Sequence, residues 1–156
     1  MMTQRTTQTN AMHVSLQASD LKTSSEFYAA LLGARPAKER PGYAKFELAD
    51  PPLVLSLMQS SEVRPGGSLS HLGIRLPSGS ELEAMRERVR LAGLKIRLEE
   101  EGVDCCFARQ DKFWVQDPDG NAWEFYVFLG DVESAPRDAQ AGSCCAAELA
   151  CSEELC

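Results

Sequence analysis

The strongest constraint on the fold is an internal repeat. HVSLQASDLKTSSEFYAALLG (13–33) and HLGIRLPSGSELEAMRERVRLAG (71–93) each begin with His on a short alternating run, cross a polar turn, enter a helical pattern and end at Gly. The match continues, because KFELADPPLVLSL (45–57) parallels KFWVQDPDGNAWEFY (112–126), and both place a Lys five residues before Asp-Pro. Each half therefore predicts a strand, a helix and about three further strands.

The predicted fold is α+β, with two βαβββ modules at about 13–60 and 70–129. Together they are expected to form one curved, eight-stranded mixed sheet with a cupped interior. We place the domain at 13–129, after a disordered lead over 1–12. The periodic pattern dissolves into a small-residue linker near residue 131, so residues 130–156 are expected to be a flexible, cysteine-rich tail.

Both predicted helices carry recognisable end signals. At their starts a hydroxyl residue precedes a glutamate by three positions, which predicts two capping boxes: Thr23 with Glu26, and Ser80 with Glu83. At their ends Gly33 and Gly93 stand where a left-handed C-terminal cap is expected.

Composition excludes several classes of partner. The net charge is −7 and the pI about 4.9, without a Lys/Arg cluster that could grip phosphate, which disfavours nucleic acid and anionic membranes. No segment approaches the roughly 20 apolar residues that span a bilayer. The polar N-terminus lacks the apolar stretch of a secretion signal, so we expect a cytoplasmic protein.

The two histidines predict a metal site together with one glutamate. His13 and His71 open the first strands of the two halves, and Glu124 lies within the apolar strand WEFYVF. A lone strand histidine is more often a structural residue, but the symmetric placement favours metal binding, as does a carboxylate that is costly to bury without a cation or donor. Two imidazoles and one carboxylate are the set associated with non-haem Fe(II), which leaves positions open for O₂ and substrate. Other divalent metals can substitute in a purified sample.

The six cysteines are concentrated in the second half of the chain. Cys105 and Cys106 are adjacent in GVDCCFARQDKFWV, and the others are in the tail: Cys144, Cys145, Cys151 and Cys156. A secreted disulfide scaffold would distribute its cysteines through the core, so this pattern favours reduced thiols that bind soft ions. Two neighbouring thiols can hold one As(III) ion; the alternatives are buried small residues or a vicinal disulfide. The tail cysteines are expected either to scavenge As(III) or to be dispensable.

Charged and aromatic neighbours modify these predictions. The acidic run before the cysteines, which ends at Asp104, should raise their pKa values, and Arg109 and Lys112 should partly offset it. Lys112 is expected either to orient the cysteine loop or, the favoured interpretation, to be solvated surface. Tyr126 shares the strand face of Glu124 and is expected either to position oxygen or transfer a proton, or to pack in the core.

The paired modules, the histidines in HVSLQASDLKTSSEFYAALLG and HLGI, and QDPDGNAWEFY resemble the vicinal oxygen chelate superfamily. This resemblance covers 13–129 and implies metal ligation by His13, His71 and Glu124. VDCCFARQDKFWVQDPDGNAWEFY, GYAKFELADPPLVLSL and the cysteine-rich tail are similar to the carbon–arsenic lyases of that superfamily, often labelled cadmium-induced or glyoxalase-like. Fold alone does not choose among these chemistries.

The lyase resemblance implies Fe(II)- and O₂-dependent cleavage of the carbon–arsenic bond in trivalent organoarsenicals, with arsenite as the product. The expected substrates are methylarsenite and trivalent aromatic arsenicals, captured by Cys105 and Cys106 and brought to the iron by loop closure. Two alternatives remain open: another extradiol dioxygenase or glyoxalase-type enzyme, and a non-enzymatic protein that sequesters As(III) or Cd(II). The oligomeric state and an arsenite acceptor protein are also left open.

Overall fold

The computed structural model describes residues 10–64, 68–105 and 107–133. Two helices and eight strands follow one another in the order that the repeat predicts. The first module contains β1 (Met12–Ala18), α1 (Leu21–Leu32), β2 (Lys38–Arg40), β3 (Tyr43–Ala49) and β4 (Pro52–Gln59). The second contains β5 (Leu72–Arg75), α2 (Gly79–Leu91), β6 (Ile96–Cys105), β7 (Ala108–Gln116) and β8 (Ala122–Asp131). The α+β class and the two βαβββ modules are therefore confirmed.

The eight strands are divided between two four-stranded sheets, where the sequence suggested one curved sheet. Their orders are β1-β4-β3-β2 and β5-β8-β7-β6, so each module builds one sheet with the same topology. The first strand of each module is parallel to the last, and the other neighbours are antiparallel. Each sheet is consequently mixed, as predicted.

The hydrophobic core joins the two modules. Along β8 the buried side chains of Trp123, Phe125 and Val127 alternate with Glu124 and Tyr126, because successive strand residues point to opposite faces. The core cluster also takes in both helices and the inner faces of the central strands, including Tyr28, Leu31, Phe46, Leu55, Leu57, Met85, Val89, Phe113 and Val115. A smaller apolar cluster of Trp114, Ala122 and Leu98 lies on the opposite face of the second sheet, which also carries Glu124.

The helix starts differ from the predicted capping boxes. Asp20 caps α1 by accepting from the Thr23 backbone N–H, and Ser78 caps α2 by accepting from Glu81. The predicted pairs Thr23–Glu26 and Ser80–Glu83 are therefore wrong. The reason is that an oxygen-bearing side chain stands further upstream in both cases, and the two glutamates pair with Lys22 and Arg86 instead.

The helix ends follow the prediction more closely. Gly33 caps α1 with φ 63°. Gly93 has φ 71° and directly follows the C-cap of α2, Ala92. Neither helix of the described segments is long and apolar enough to cross a membrane.

The turn between β7 and β8 is fastened to the first module. Asp117 accepts a 2.6 Å hydrogen bond from the Tyr28 hydroxyl, which in turn accepts from Trp123 Nε1 at 3.0 Å. Asp119 accepts from the Ser19 backbone N–H at 3.1 Å. Burial, and then the Asp117 carboxylate, raise the pKa of Tyr28 far above its ordinary value. This network fixes the strand that carries the predicted ligand Glu124 against α1.

Candidate metal centre

His71 and Glu124 lie side by side in the second sheet. His71 directly precedes β5, and Glu124 on β8 is opposite Gly73 in the parallel pair. The distance from His71 Nε2 to Glu124 Oε2 is 3.7 Å. Two donors that bind one ion at about 2.1 Å each lie roughly 3–4 Å apart, so the geometry and chemistry of this pair suit one divalent cation.

The second carboxylate oxygen of Glu124 has another partner. Lys112 Nζ donates to Oε1 at 3.2 Å, and the Lys112 side chain is fully buried. Glu100 Oε2 lies 3.8 Å from the same ammonium. The favoured sequence interpretation of Lys112 as solvated surface is therefore wrong. Strand alternation in KFWV shows that Lys112 and Trp114 share one face of β7, but only the pairing of β7 with β8 shows that Glu124 adjoins this face.

The His71 ring is held on two sides. Ser70 Oγ lies 3.0 Å from its Nδ1, and the Trp114 ring meets it edge to face at 5.1 Å. Metal binding through Nε2 requires the proton on Nδ1, where Ser70 Oγ would accept it. This hydrogen bond would then fix both the tautomer and the orientation of the ring.

His13 lies in the first sheet, on β1, with an exposed side chain. Its Nε2 is 3.2 Å from Ser56 Oγ, which also contacts the Tyr43 hydroxyl at 3.1 Å. Within the described ranges, no three His, Cys, Asp or Glu side chains are close enough to hold one ion. The structure thus brings His71 and Glu124 together without His13, whose role as third ligand stays a prediction.

The strand register explains the different placement of the two histidines. Both precede the N-cap of the following helix by the same interval, since Asp20 follows His13 as Ser78 follows His71. On the parallel partner strand, however, Val54 lies opposite His13, whereas Glu124 lies opposite Gly73. The histidines are equivalent relative to the helices but are offset by two residues relative to the sheets.

Gly73 is the residue of β5 that faces the Glu124 carboxylate. A Cβ at this position would lie 3.4 Å from Glu124 Oε2, which is ordinary van der Waals contact. Tyr126 is half-buried on the same face of β8 as Glu124 and lies opposite Lys112. Its predicted part in oxygen positioning or proton transfer stays a prediction.

Cys105 lies far along the sheet from the histidine–glutamate pair. It lies at the end of β6, with 6% of its surface exposed. It pairs with Ala108, which pairs with Asp131 at the far end of β8 from Glu124. Seven residue steps on β8 at about 3.3 Å each correspond to roughly 20 Å. The structure does not bring Cys105 to Glu124; Cys106 and the tail cysteines lie outside the described residues.

Two acidic residues near Cys105, Asp104 and Glu100, lie beside the two cations that the sequence suggested. Arg109 binds both carboxylate oxygens of Asp104, at 2.8 and 3.0 Å, and this holds the pKa of Asp104 below its ordinary value. Lys112 and Trp114 Nε1 both approach Glu100. Negative charge beside the thiol is therefore partly offset.

Comparison with known proteins agrees with the fold. A sequence model of the Glyoxalase/Bleomycin resistance protein/Dioxygenase superfamily matches residues 11–125. The chain belongs to this superfamily. A crystal structure of a superfamily member from Alicyclobacillus acidocaldarius superposes with a TM-score of 0.64 at 19% identity and covers 77% of this chain and 92% of its own. Superfamily proteins typically bind a divalent metal, which agrees with the chemistry of the His71–Glu124 pair.

Two named relatives are more similar to this chain in sequence than this solved structure is. A protein of Mycobacterium bovis named cadmium-induced protein CadI is 42% identical over 147 residues, covering 89% of this chain and 95% of the relative. A protein of Bacillus sp. strain MD1 named trivalent organoarsenical cleaving enzyme is 40% identical over 136 residues, covering 87% and 83%.

Proposed function

We propose that this protein cleaves the carbon–arsenic bond of trivalent organoarsenicals and releases arsenite. The observation that carries the proposal is the His71–Glu124 pair, whose donor atoms lie 3.7 Å apart in a chain 40% identical to a named organoarsenical cleaving enzyme. Methylarsenite and trivalent aromatic arsenicals are the proposed substrates, and the cytoplasm is the proposed location.

His71 Nε2 and Glu124 Oε2 are proposed to hold Fe(II), with His13 as the third ligand from the first sheet. A nitrogen-and-oxygen set of this kind suits iron and leaves coordination positions open. When bound, iron would supply the activation of O₂. For methylarsenite the balanced reaction is CH₃As(OH)₂ + O₂ → HCHO + As(OH)₃. The methyl carbon loses the four electrons that O₂ gains, arsenic stays trivalent, and no further reductant is required.

Cys105 and Cys106 are proposed to capture the substrate before cleavage. Their two thiols replace the two hydroxyls of the arsenical, so that two As–S bonds form and two water molecules leave. Soft As(III) prefers sulfur, whereas the nitrogen and oxygen donors of the metal pair suit a harder ion. The carbon–arsenic bond is retained in this complex and can be presented elsewhere.

Delivery requires the cysteine-bearing hairpin to move, because Cys105 starts roughly 20 Å along the sheet from Glu124. The ladder contains irregularities between Glu100 and Val103 on β6 and between Arg109 and Gln110 on β7. Gly102, at the first of these, has φ 59°. Interrupted pairing on both strands at one level favours bending there, and closure of the hairpin tip over the sheet face that carries Glu124 would shorten the distance.

The proposal is tested by loading the protein anaerobically with Fe(II), adding methylarsenite and then admitting air. We expect arsenite only when iron and O₂ are both present. Cys105→Ser and Glu124→Gln should each abolish turnover, whereas Glu47→Gln, an exposed glutamate of the first sheet, should retain it. Arsenite formation without iron, or full activity of C105S, would contradict the mechanism.

Sequestration of As(III) or Cd(II) is the second candidate function. It is favoured by the separation of Cys105 from the metal pair and by the 42% identity to a protein named cadmium-induced. Cys144, Cys145, Cys151 and Cys156 are proposed either to contribute to such binding, with hand-over to an acceptor protein, or to be dispensable. The same assay separates the candidates, because stoichiometric binding without arsenite from methylarsenite would support sequestration. Another extradiol or glyoxalase-type activity would leave C105S active on its own substrate.

A further inference from the structure

Lys112 is a fully buried cation within the candidate metal centre. Its ammonium lies 3.2 Å from Glu124 Oε1 and 3.8 Å from Glu100 Oε2. The Trp114 ring centroid is 5.4 Å away. Removing an ammonium from water is costly unless charged partners compensate. The buried position therefore suits a lysine whose task is to act on Glu124.

The two carboxylate oxygens of Glu124 lie beside different residues. Oε1 accepts from Lys112, while Oε2 faces His71 Nε2 at 3.7 Å. We propose that Lys112 is a positioning residue that holds Oε1, so that Glu124 presents Oε2 alone beside His71 to a divalent metal. This inference rests on the metal centre of the proposed function. Ligation through a single oxygen would leave one more coordination position open than chelation by both oxygens.

Glu100 and Trp114 form a frame around Lys112 and His71, and this frame supports the separate roles of the two Glu124 oxygens. Glu100 Oε2 accepts from Trp114 Nε1 at 3.0 Å, and the Trp114 ring packs edge to face against His71. Glu100 and Trp114 thus link the lysine on one side to the histidine on the other. Two carboxylates against one ammonium leave a net negative charge, so the frame still attracts a cation.

The internal repeat offers a matched lysine without this arrangement. Lys45 stands five residues before Asp50 as Lys112 stands before Asp117. It is half-buried and forms an ion pair with the exposed Glu47 in the first sheet. Lys45→Met therefore controls for the loss of a lysine at the equivalent position of a module.

The test uses Co²⁺ as the probe and compares dissociation constants and visible spectra of the full chain. In Lys112→Met the freed Oε1 should join the metal, so the coordination number rises and the visible absorption falls about twofold. Loss of the neighbouring positive charge should tighten Co²⁺ binding about tenfold. Lys112→Arg should restore the wild-type spectrum, and Lys45→Met should match wild type in both measurements.

A purely structural lysine predicts a different result. Lys112→Met would then bind Co²⁺ more weakly or equally, with an unchanged spectrum, and this would overturn the inference while leaving the metal centre intact. Absence of Co²⁺ binding by the wild-type protein, or retention of binding by Glu124→Gln, would overturn both the inference and the proposed metal centre.

A second measurement uses the wild-type protein and therefore does not depend on whether a Lys112 variant folds. The infrared difference spectrum of wild type with and without Co²⁺ reports the carboxylate stretches of the metal ligands, among which Glu124 is the proposed carboxylate. Ligation through one oxygen separates the two stretches more than in the free carboxylate, and chelation brings them closer. A narrowed separation in wild type would contradict the proposed role of Lys112.

Discussion

Tyr28→Phe removes the hydroxyl that joins the modules. In the folded protein this hydroxyl donates to Asp117 at 2.6 Å and accepts from Trp123 Nε1 at 3.0 Å. A hydrogen bond to a charged group contributes about 1.5–3 kcal/mol, and a buried donor left without a partner costs about 1–3 kcal/mol. We therefore expect the free energy of unfolding to fall by about 3 kcal/mol.

For a domain of this size, 1 kcal/mol corresponds to about 4 °C, so the melting temperature should fall by about 12 °C. Thermal unfolding followed by circular dichroism measures this shift. Tyr43→Phe is the matched control, because it removes one neutral 3.1 Å hydrogen bond to Ser56 from a half-buried position. It should cost about 0.5–1.5 kcal/mol. Equal melting temperatures for the two variants would show that the Tyr28 hydrogen bonds do not contribute the stability expected of them.

Three further outcomes follow from the same structure. The raised pKa of Tyr28 favours the protonated hydroxyl in the folded state, so this stabilisation is present below the ordinary value of 10.0 and lost as pH rises above it. In denaturant titrations the stability advantage of wild type over Tyr28→Phe should shrink by about 1.4 kcal/mol per pH unit above that value; a constant advantage would contradict it. Gly33→Ala should cost about 1–2 kcal/mol of unfolding free energy in urea, because Gly33 has φ 63° and a Cβ would lie 3.0 Å from Arg88 Nη1; an unchanged midpoint would contradict this. Anaerobic Fe(II) at a hundred times its dissociation constant should stabilise wild type by about 2.7 kcal/mol, a gain that EDTA removes and Glu124→Gln lacks; equal stabilisation of both would place the metal elsewhere.

The order of helices and strands was predictable from the sequence, because alternation and helix-end signals are local patterns that occur in both halves of the repeat. Alternation in WEFYVF placed Glu124 on the face opposite Trp123 and Phe125, and the structure agrees. Gly33 marks the left-handed end of α1 as expected. The helix starts were wrong, because several oxygen-bearing residues compete over three or four positions and pattern alone does not rank them.

The candidate site was only partly predictable, since it depends on contacts between distant segments. His71 and Glu124 are close because β5 pairs with β8, just as the first strand pairs with the last strand in the other module. The burial of Lys112 requires knowing that Glu100 and Glu124 flank it on both neighbouring strands. The two-residue difference in register between the modules, which separates His13 from the equivalent of His71, depends on how β1 and β5 pair with their partner strands, and the repeat alone does not specify this pairing.

The stoichiometry of one reaction decides whether this protein cleaves methylarsenite or only binds it. Methylarsenite and a limiting amount of O₂ are added to the Fe(II)-loaded protein, and arsenite, formaldehyde and consumed O₂ are quantified. If the protein cleaves the carbon–arsenic bond with O₂, equal amounts of all three are expected. Arsenic retained as protein-bound methylarsenite, with no O₂ consumed and no formaldehyde formed, would contradict it.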